Sequence, residues 1–157
     1  MAVAVRILRM SSSGRLTAVV LAAAVLATMT GCSQGASGTL DQALKSAVSA
    51  TETARQAVTL FDDGRSTSAV ASSALEDMLQ ELNSSQGAVA QAEPSSNADR
   101  AARRRVLAVL DDAVSGVTGA EEAVAQAPGA PAVPTILQRI DRVIERLHAL
   151  EKSGGTA

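Results

Sequence analysis

The sequence predicts an all-α fold, an antiparallel up-down bundle of four helices. Three segments in succession carry apolar residues at alternating spacings of four and three, which places those residues on one stripe of a helix. After residue 31, no strand-length run alternates β-branched with polar residues. Short connections between the segments make successive helices antiparallel neighbours.

Residues 1–31 have the pattern of a cleaved export signal. An apolar run, Leu16 to Thr30, follows a positively charged start that has no acidic residue. A helix of that length rises only about 22 Å, less than the ~30 Å hydrocarbon core, so a cleaved signal is favoured over a permanent span. Met10 is an alternative start. The basic residues of the leader are Arg6, Arg9 and Arg15.

The apolar run ends in Met29-Thr30-Gly31-Cys32, and Cys32 is the only cysteine. This motif resembles the lipobox of bacterial lipoproteins, although Met29 stands where Leu is more usual. The resemblance implies cleavage between Gly31 and Cys32, a diacylglyceryl group on the Cys32 sulfur, and acylation of the new amino terminus. The alternative is a free thiol after an ordinary signal peptide, but a lone cysteine there has no disulfide partner.

Removal of the leader leaves 126 of the 157 residues, enough for one domain. Residues 32–38 are rich in Gly and Ser and predict a flexible tether. Residues 39–152 are expected to form the bundle, and 153–157 a disordered tail.

The first helix is predicted to start at a capping box formed by Thr39 and Gln42 and to end at Asp63-Gly64. Its stripe is Leu40, Leu44, Ala47, Thr51, Ala54, Val58 and Phe61. The second helix is predicted to stop before Pro94. Its stripe is Ala71, Leu75, Met78, Leu82, Ser85, Val89 and Ala92.

The third helix is predicted to open with a capping box formed by Ser96 and Asp99. Its stripe is Val106, Leu110, Ala113, Val117, Ala120, Val124 and Ala127. The proline-rich connector 128–134 is predicted to be non-helical, so Thr135 would cap the fourth helix. The apolar residues of that helix are Ile136, Ile140, Val143, Ile144, Leu147 and Leu150.

The composition excludes one class of function. Beyond residue 31 the net charge is −5, and the chain has no Trp, no Tyr and one Phe. Nucleic-acid binding needs basic patches and stacking aromatic residues, so no nucleic-acid partner is expected. An apolar content dominated by Ala and Val predicts a thin core of modest stability.

No catalytic constellation is recognisable. His148 is the only histidine, which rules out a two-histidine zinc site and favours a surface or boundary position for this residue. Neither a Gly-x-Ser-x-Gly elbow nor a glycine-rich phosphate loop occurs. Neighbouring acidic residues on a helix point about 100° apart, so solvated faces are favoured over metal sites. The acidic pairs are Asp62-Asp63, Asp111-Asp112 and Glu121-Glu122.

Gly116 and Gly119 lie inside the third helix, where each costs up to ~1 kcal/mol relative to Ala. The favoured interpretation is that the bundle tolerates this local loss of helix stability. The alternative is a close helix contact or a face on which a partner docks.

The same helix opens with a cluster of arginines at the end of the bundle to which the tether is attached. The topology also brings Arg146 and Lys152 to that end. Two interpretations are equally supported: the cluster faces anionic lipid, or it is a solvated charge run offset by Glu93 and Asp99. The cluster is Arg100, Arg103, Arg104 and Arg105.

The sequence therefore predicts a non-catalytic lipoprotein at the outer face of the cell membrane, an interaction or accessory module with no cofactor and no metal. The membrane, reached through the lipid on Cys32, is its expected partner, and a protein partner in the cell envelope is compatible with this interpretation. The alternative function is a receptor lipoprotein for a small ligand or cation.

Overall fold

Four helices and no strand make up residues 36–154, the part of the chain that the computed structural model describes. The helices are α1 (Ala36–Asp62), α2 (Ser68–Gln91), α3 (Asn97–Val124) and α4 (Val133–Gly154). This arrangement confirms the all-α bundle. None of the helices in the described range has the length and apolar content needed to cross a bilayer.

The helices pack as a ring, α1 on α2, α2 on α3, α3 on α4 and α4 on α1. In addition α1 packs on α3, whereas the backbones of α2 and α4 do not approach each other. The cross-section is therefore a rhombus with α1 and α3 on its short diagonal. Both helices bury small residues, such as Ala47, Ala54 and Ala113, and small side chains allow two backbones to approach closely.

The predicted stripes form most of the core, but Ala92 and Ala127 lie beyond the ends of α2 and α3 and are half-buried. Every stripe residue of α1 is buried except Phe61, which is half-buried, and Met78 of α2 is also half-buried. Ile144 and Leu150 pack at the edge of the core. The largest fully buried aliphatic side chains of α2, α3 and α4 are Leu75, Leu82, Leu110, Ile136, Ile140 and Leu147.

Two predicted helix starts are wrong. α1 begins at Ala36, so Thr39 is inside the helix and residues 36–38 of the expected tether belong to its first turn. α4 begins at Val133, because Pro134 falls in the first turn, where the missing N–H has no helical partner in any case. The helix at the carboxyl end also runs through Gly154, so the start of the expected tail is helical.

The predicted ends of α1 and α2 are confirmed, whereas α3 ends at Val124, before the predicted stripe residue Ala127. Gly64 follows α1 with a φ of 67°, the left-handed conformation that glycine adopts without strain, and its N–H donates to the Phe61 carbonyl. α2 ends at Gln91, three residues before Pro94. Thr67 was not predicted as a cap, but it caps α2 by accepting a hydrogen bond from the Val70 N–H.

Candidate functional site

The predicted lipidation motif lies outside the described residues. Gly31 and Cys32 both precede Ala36, the first residue of the described range, so their cleavage and modification remain predictions. Residues 1–35 and 155–157 fall outside that range. The described chain begins with α1, four positions after Cys32.

One end of the bundle, which we call the cleft end, brings together the first turns of α1 and α3 and the last turn of α4. A cleft of about 230 Å³ opens there. Its walls are mainly apolar, and the charged side chains that line it are Asp41, Asp99 and Arg105. The apolar residues are Ala36, Leu40, Leu44, Ala98, Ala102, Val106 and Leu150.

The capping box of α3 is present as predicted and fixes the position of Asp99. The Asp99 N–H donates to the Ser96 hydroxyl at 3.0 Å, and the Ser96 N–H donates to the Asp99 carboxylate at 2.9 Å. The Ser95 hydroxyl also donates to this carboxylate, at 2.6 Å. The hydrogen bond from Ser95, followed by those from Ser96, lowers the pKa of Asp99 from its ordinary value.

The four predicted arginines are not equivalent. Arg103 donates to the Ala90 carbonyl at 2.5 Å, which satisfies a backbone acceptor in the last turn of α2. Arg100 donates to Asn97 in its own first turn. Arg104 and Arg105 are exposed and have no side-chain partner among residues 36–154, and Arg105 lines the cleft. The structure thus leaves two of the four guanidinium groups for another ligand.

The expected place of Arg146 is wrong. Arg146 donates to Asp112, which lies about four turns into α3 and far from the cleft end. The error has a simple cause: residue 146 lies two turns before the end of α4. Lys152 does lie in the last turn of α4 and is exposed.

His148 is half-exposed, as predicted, and lies between two carboxylates. Its Nε2 is 3.2 Å from Glu52 of α1, and its Nδ1 is 3.5 Å from Glu151 of α4. Of the six paired acidic residues, only Asp112 has an ion-pair partner in the described range. Residues 36–154 contain no group of three or more His, Cys, Asp or Glu side chains that could hold a metal ion.

Gly116 and Gly119 are both buried against α4. A Cβ built on Gly119 would lie 2.9 Å from Cδ1 of Ile136, closer than two carbon atoms pack. A Cβ on Gly116 would lie 3.8 Å from Cγ1 of Ile140, an ordinary contact. Gly119 is therefore the site of a close contact between α3 and α4, which was the alternative interpretation of the two glycines.

A second group of arginines lines a groove between α3 and α4 and was not predicted as a group. It consists of Arg139, Arg142 and Arg146. Their spacing of three and four was the available signal, because it places all three on one face of α4. Comparison of the chain with family models, with curated proteins and with solved structures finds no match.

Proposed function

We propose that this protein is a lipid-anchored, non-catalytic lipoprotein at the outer face of the cell membrane, where its helical bundle acts as an interaction or accessory module. The observation that carries the proposal is Met29-Thr30-Gly31-Cys32 at the end of an apolar run. Cys32 lies only four positions before Ala36, a separation of at most about 14 Å for extended chain. A lipid on Cys32 would therefore hold the bundle close to the bilayer by the end at which α1 begins.

The test is the mass of the amino-terminal peptide from the full chain expressed in a bacterial host. We expect a chain that begins at Cys32 and carries diacylglyceryl and acyl groups. A Cys32→Ser chain should stay uncleaved at that bond, whereas the neighbouring control Ser33→Ala should be processed like the wild type. Sedimentation with membranes does not test lipidation, because a chain that keeps its uncleaved leader also binds membranes. An unmodified Cys32 thiol on a processed chain would contradict the proposal.

The free arginines at the cleft end support an orientation on anionic lipid. Arg104, Arg105 and Lys152 are exposed at the end of the bundle at which α1 begins. Each basic residue near an anionic surface contributes up to ~1 kcal/mol, a value known for cytoplasmic leaflets. We expect Arg104→Ala/Arg105→Ala to weaken binding of the unlipidated mature chain to anionic vesicles. The control Arg65→Ala removes a charge at the opposite end of the bundle and should bind like the wild type. Equal binding by both variants would leave the solvated charge run as the explanation.

One observation favours the second candidate function, a receptor for a small ligand. The cleft of about 230 Å³ has apolar walls, with Asp41 and Arg105 among the residues that line it. Its volume lies just below the range of about 300–1,000 Å³ that is usual for ligand pockets. A thermal-shift screen tests this function, since a ligand that binds only the folded state raises the melting temperature. Ala102→Trp would fill the cleft and abolish such a shift, and Ala108→Trp, on the exposed face of α3, would preserve it.

A further inference from the structure

The groove between α3 and α4 collects positive charge in a protein that is otherwise acidic. Of the four helices only α4 has more basic than acidic residues. Three of its four basic side chains, Arg139, Arg142 and Arg146, line this groove, which has a volume of about 400 Å³. Asp112 is the one carboxylate among the lining residues, so the groove carries a net charge of +2.

Two of these guanidinium groups have no acidic partner. Arg146 is paired with Asp112, whereas Arg139 and Arg142 make no ion pair with any of residues 36–154. Like charges at spacings of three and four on a helix repel one another. An anion in the groove would offset this repulsion.

The glycines of α3 position Arg139. The position of a Cβ on Gly116 lies 3.9 Å from Cδ of Arg139, and that on Gly119 lies 3.9 Å from one of its guanidinium nitrogens. The Arg139 side chain therefore lies along the bare backbone of α3, and the pairing with Asp112 holds Arg146 on the same side of α4. Less side-chain entropy is lost on binding when the charged groups are already positioned.

We propose that this groove binds an anion that carries two or more phosphate groups. A guanidinium group donates two parallel hydrogen bonds to one phosphate, which favours phosphate among anions. A guanidinium nitrogen of Arg139 lies beside Gly119, whereas Arg146 is paired with Asp112, seven residues earlier on α3. The two guanidinium groups are therefore held about 10 Å apart, too far for one phosphate to bridge them. Ser115 also lines the groove and offers a hydroxyl donor. The proposal does not depend on the lipid anchor, because it uses only residues of α3 and α4.

Titration calorimetry of the full chain in detergent micelles tests the proposal with tripolyphosphate as the probe. We expect saturable binding that weakens with added salt and that falls at least tenfold in Arg139→Ala/Arg142→Ala. The control Lys45→Ala/Arg65→Ala removes the same charge from exposed positions outside the groove and should bind like the wild type. Thermal unfolding of each variant without the probe shows that the bundle is intact.

A second titration distinguishes a free polyanion from a lipid headgroup. Glycerophosphoglycerol carries the single phosphodiester of an anionic headgroup and should bind at least tenfold more weakly than tripolyphosphate. Equal affinity for the two probes would overturn the requirement for several phosphates. Equal weakening by both variant pairs, or no binding of tripolyphosphate by the wild type, would overturn the site.

Discussion

α2 and α4 occupy the two far corners of the rhombus, pack on the same pair of helices, and are held there differently. α4 buries Ile136, Ile140, Val143 and Leu147 in successive turns. It also forms ion pairs with both neighbours, from Asp141 to Arg55 of α1 at 2.5 Å and from Arg146 to Asp112 of α3.

The buried side chains of α2 are on average smaller than those of α4. Leu75 and Leu82 are its largest fully buried side chains, and its remaining buried residues are Ala71, Ser85 and Val89. It carries Glu76, Asp77 and Glu81 and no basic residue, and no ion pair joins it to a neighbour within residues 36–154. Apolar burial by two leucines, with a cap at each end, therefore holds this helix. Elements that bury less apolar side-chain area open first in local unfolding, so we infer that α2 is the less stable edge.

The largest effect is expected at an anchor of α2. Leu75→Ala should lower the free energy of unfolding by about 2–5 kcal/mol, because it removes apolar contacts and leaves a cavity. Urea denaturation measures the loss. The control Val70→Ala, at a side chain that is 63% exposed, should change stability by less than about 0.5 kcal/mol. Amide exchange should speed up most in α2, and an equal increase in α4 would contradict the difference between the two edges.

The second-largest effect on stability is expected at the amino-terminal cap of α2. Thr67→Ala removes the acceptor for the Val70 N–H and should cost about 1 kcal/mol. Thr53→Ala makes the same change within α1, where the exposed hydroxyl only donates to the Ser49 carbonyl, and should be close to neutral. Thermal unfolding compares the two. If both variants melt alike, the cap contributes nothing to the attachment of α2.

Glycine substitutions probe the packing at each edge. Gly87 of α2 has open space where a Cβ would lie, and the site at Gly116 offers ordinary contacts with α4, so Ala at either position should stabilise by about 0.5–1 kcal/mol. Gly119→Ala should gain less than either, because Cδ1 of Ile136 must shift. Chemical denaturation of the three variants gives the order of their free energies of unfolding. If the free energy of unfolding rose as much for Gly119→Ala as for Gly116→Ala, the Ile136 side chain of α4 would be able to shift at no cost.

The ion pairs of α4 should have the smallest effect. Both partners of the pair between Arg55 and Asp141 are about half-exposed, so Asp141→Asn should cost less than about 1 kcal/mol. The cost should decrease in high salt, because ions screen exposed charges. Asp63→Asn, at an exposed carboxylate with no ion-pair partner among residues 36–154, is the control. A loss at Asp141 as large as that of Leu75→Ala would show that charge, rather than burial, holds α4.

The spacing of apolar residues was enough to predict the four helices and most of the core, because that spacing is set by the helix itself. It did not predict where α1 begins, because the low helix propensity of Ser37 and Gly38 favoured a later start, at Thr39. Nor did it predict the groove. Gly116 and Arg139 lie on different helices, and only the register between α3 and α4 brings them together.

The contact of α1 with α3 has a consequence for where this fold can hold other molecules. Many four-helix proteins keep a haem or a pair of metal ions on the bundle axis, among side chains that all four helices direct inward. Here two diagonal backbones meet on that axis, with Ala47, Ala54, Ala113 and Ala120 fully or almost fully buried. The proposed binding sites accordingly lie on the outside of the bundle, where a ligand would reach the protein without any helix having to separate.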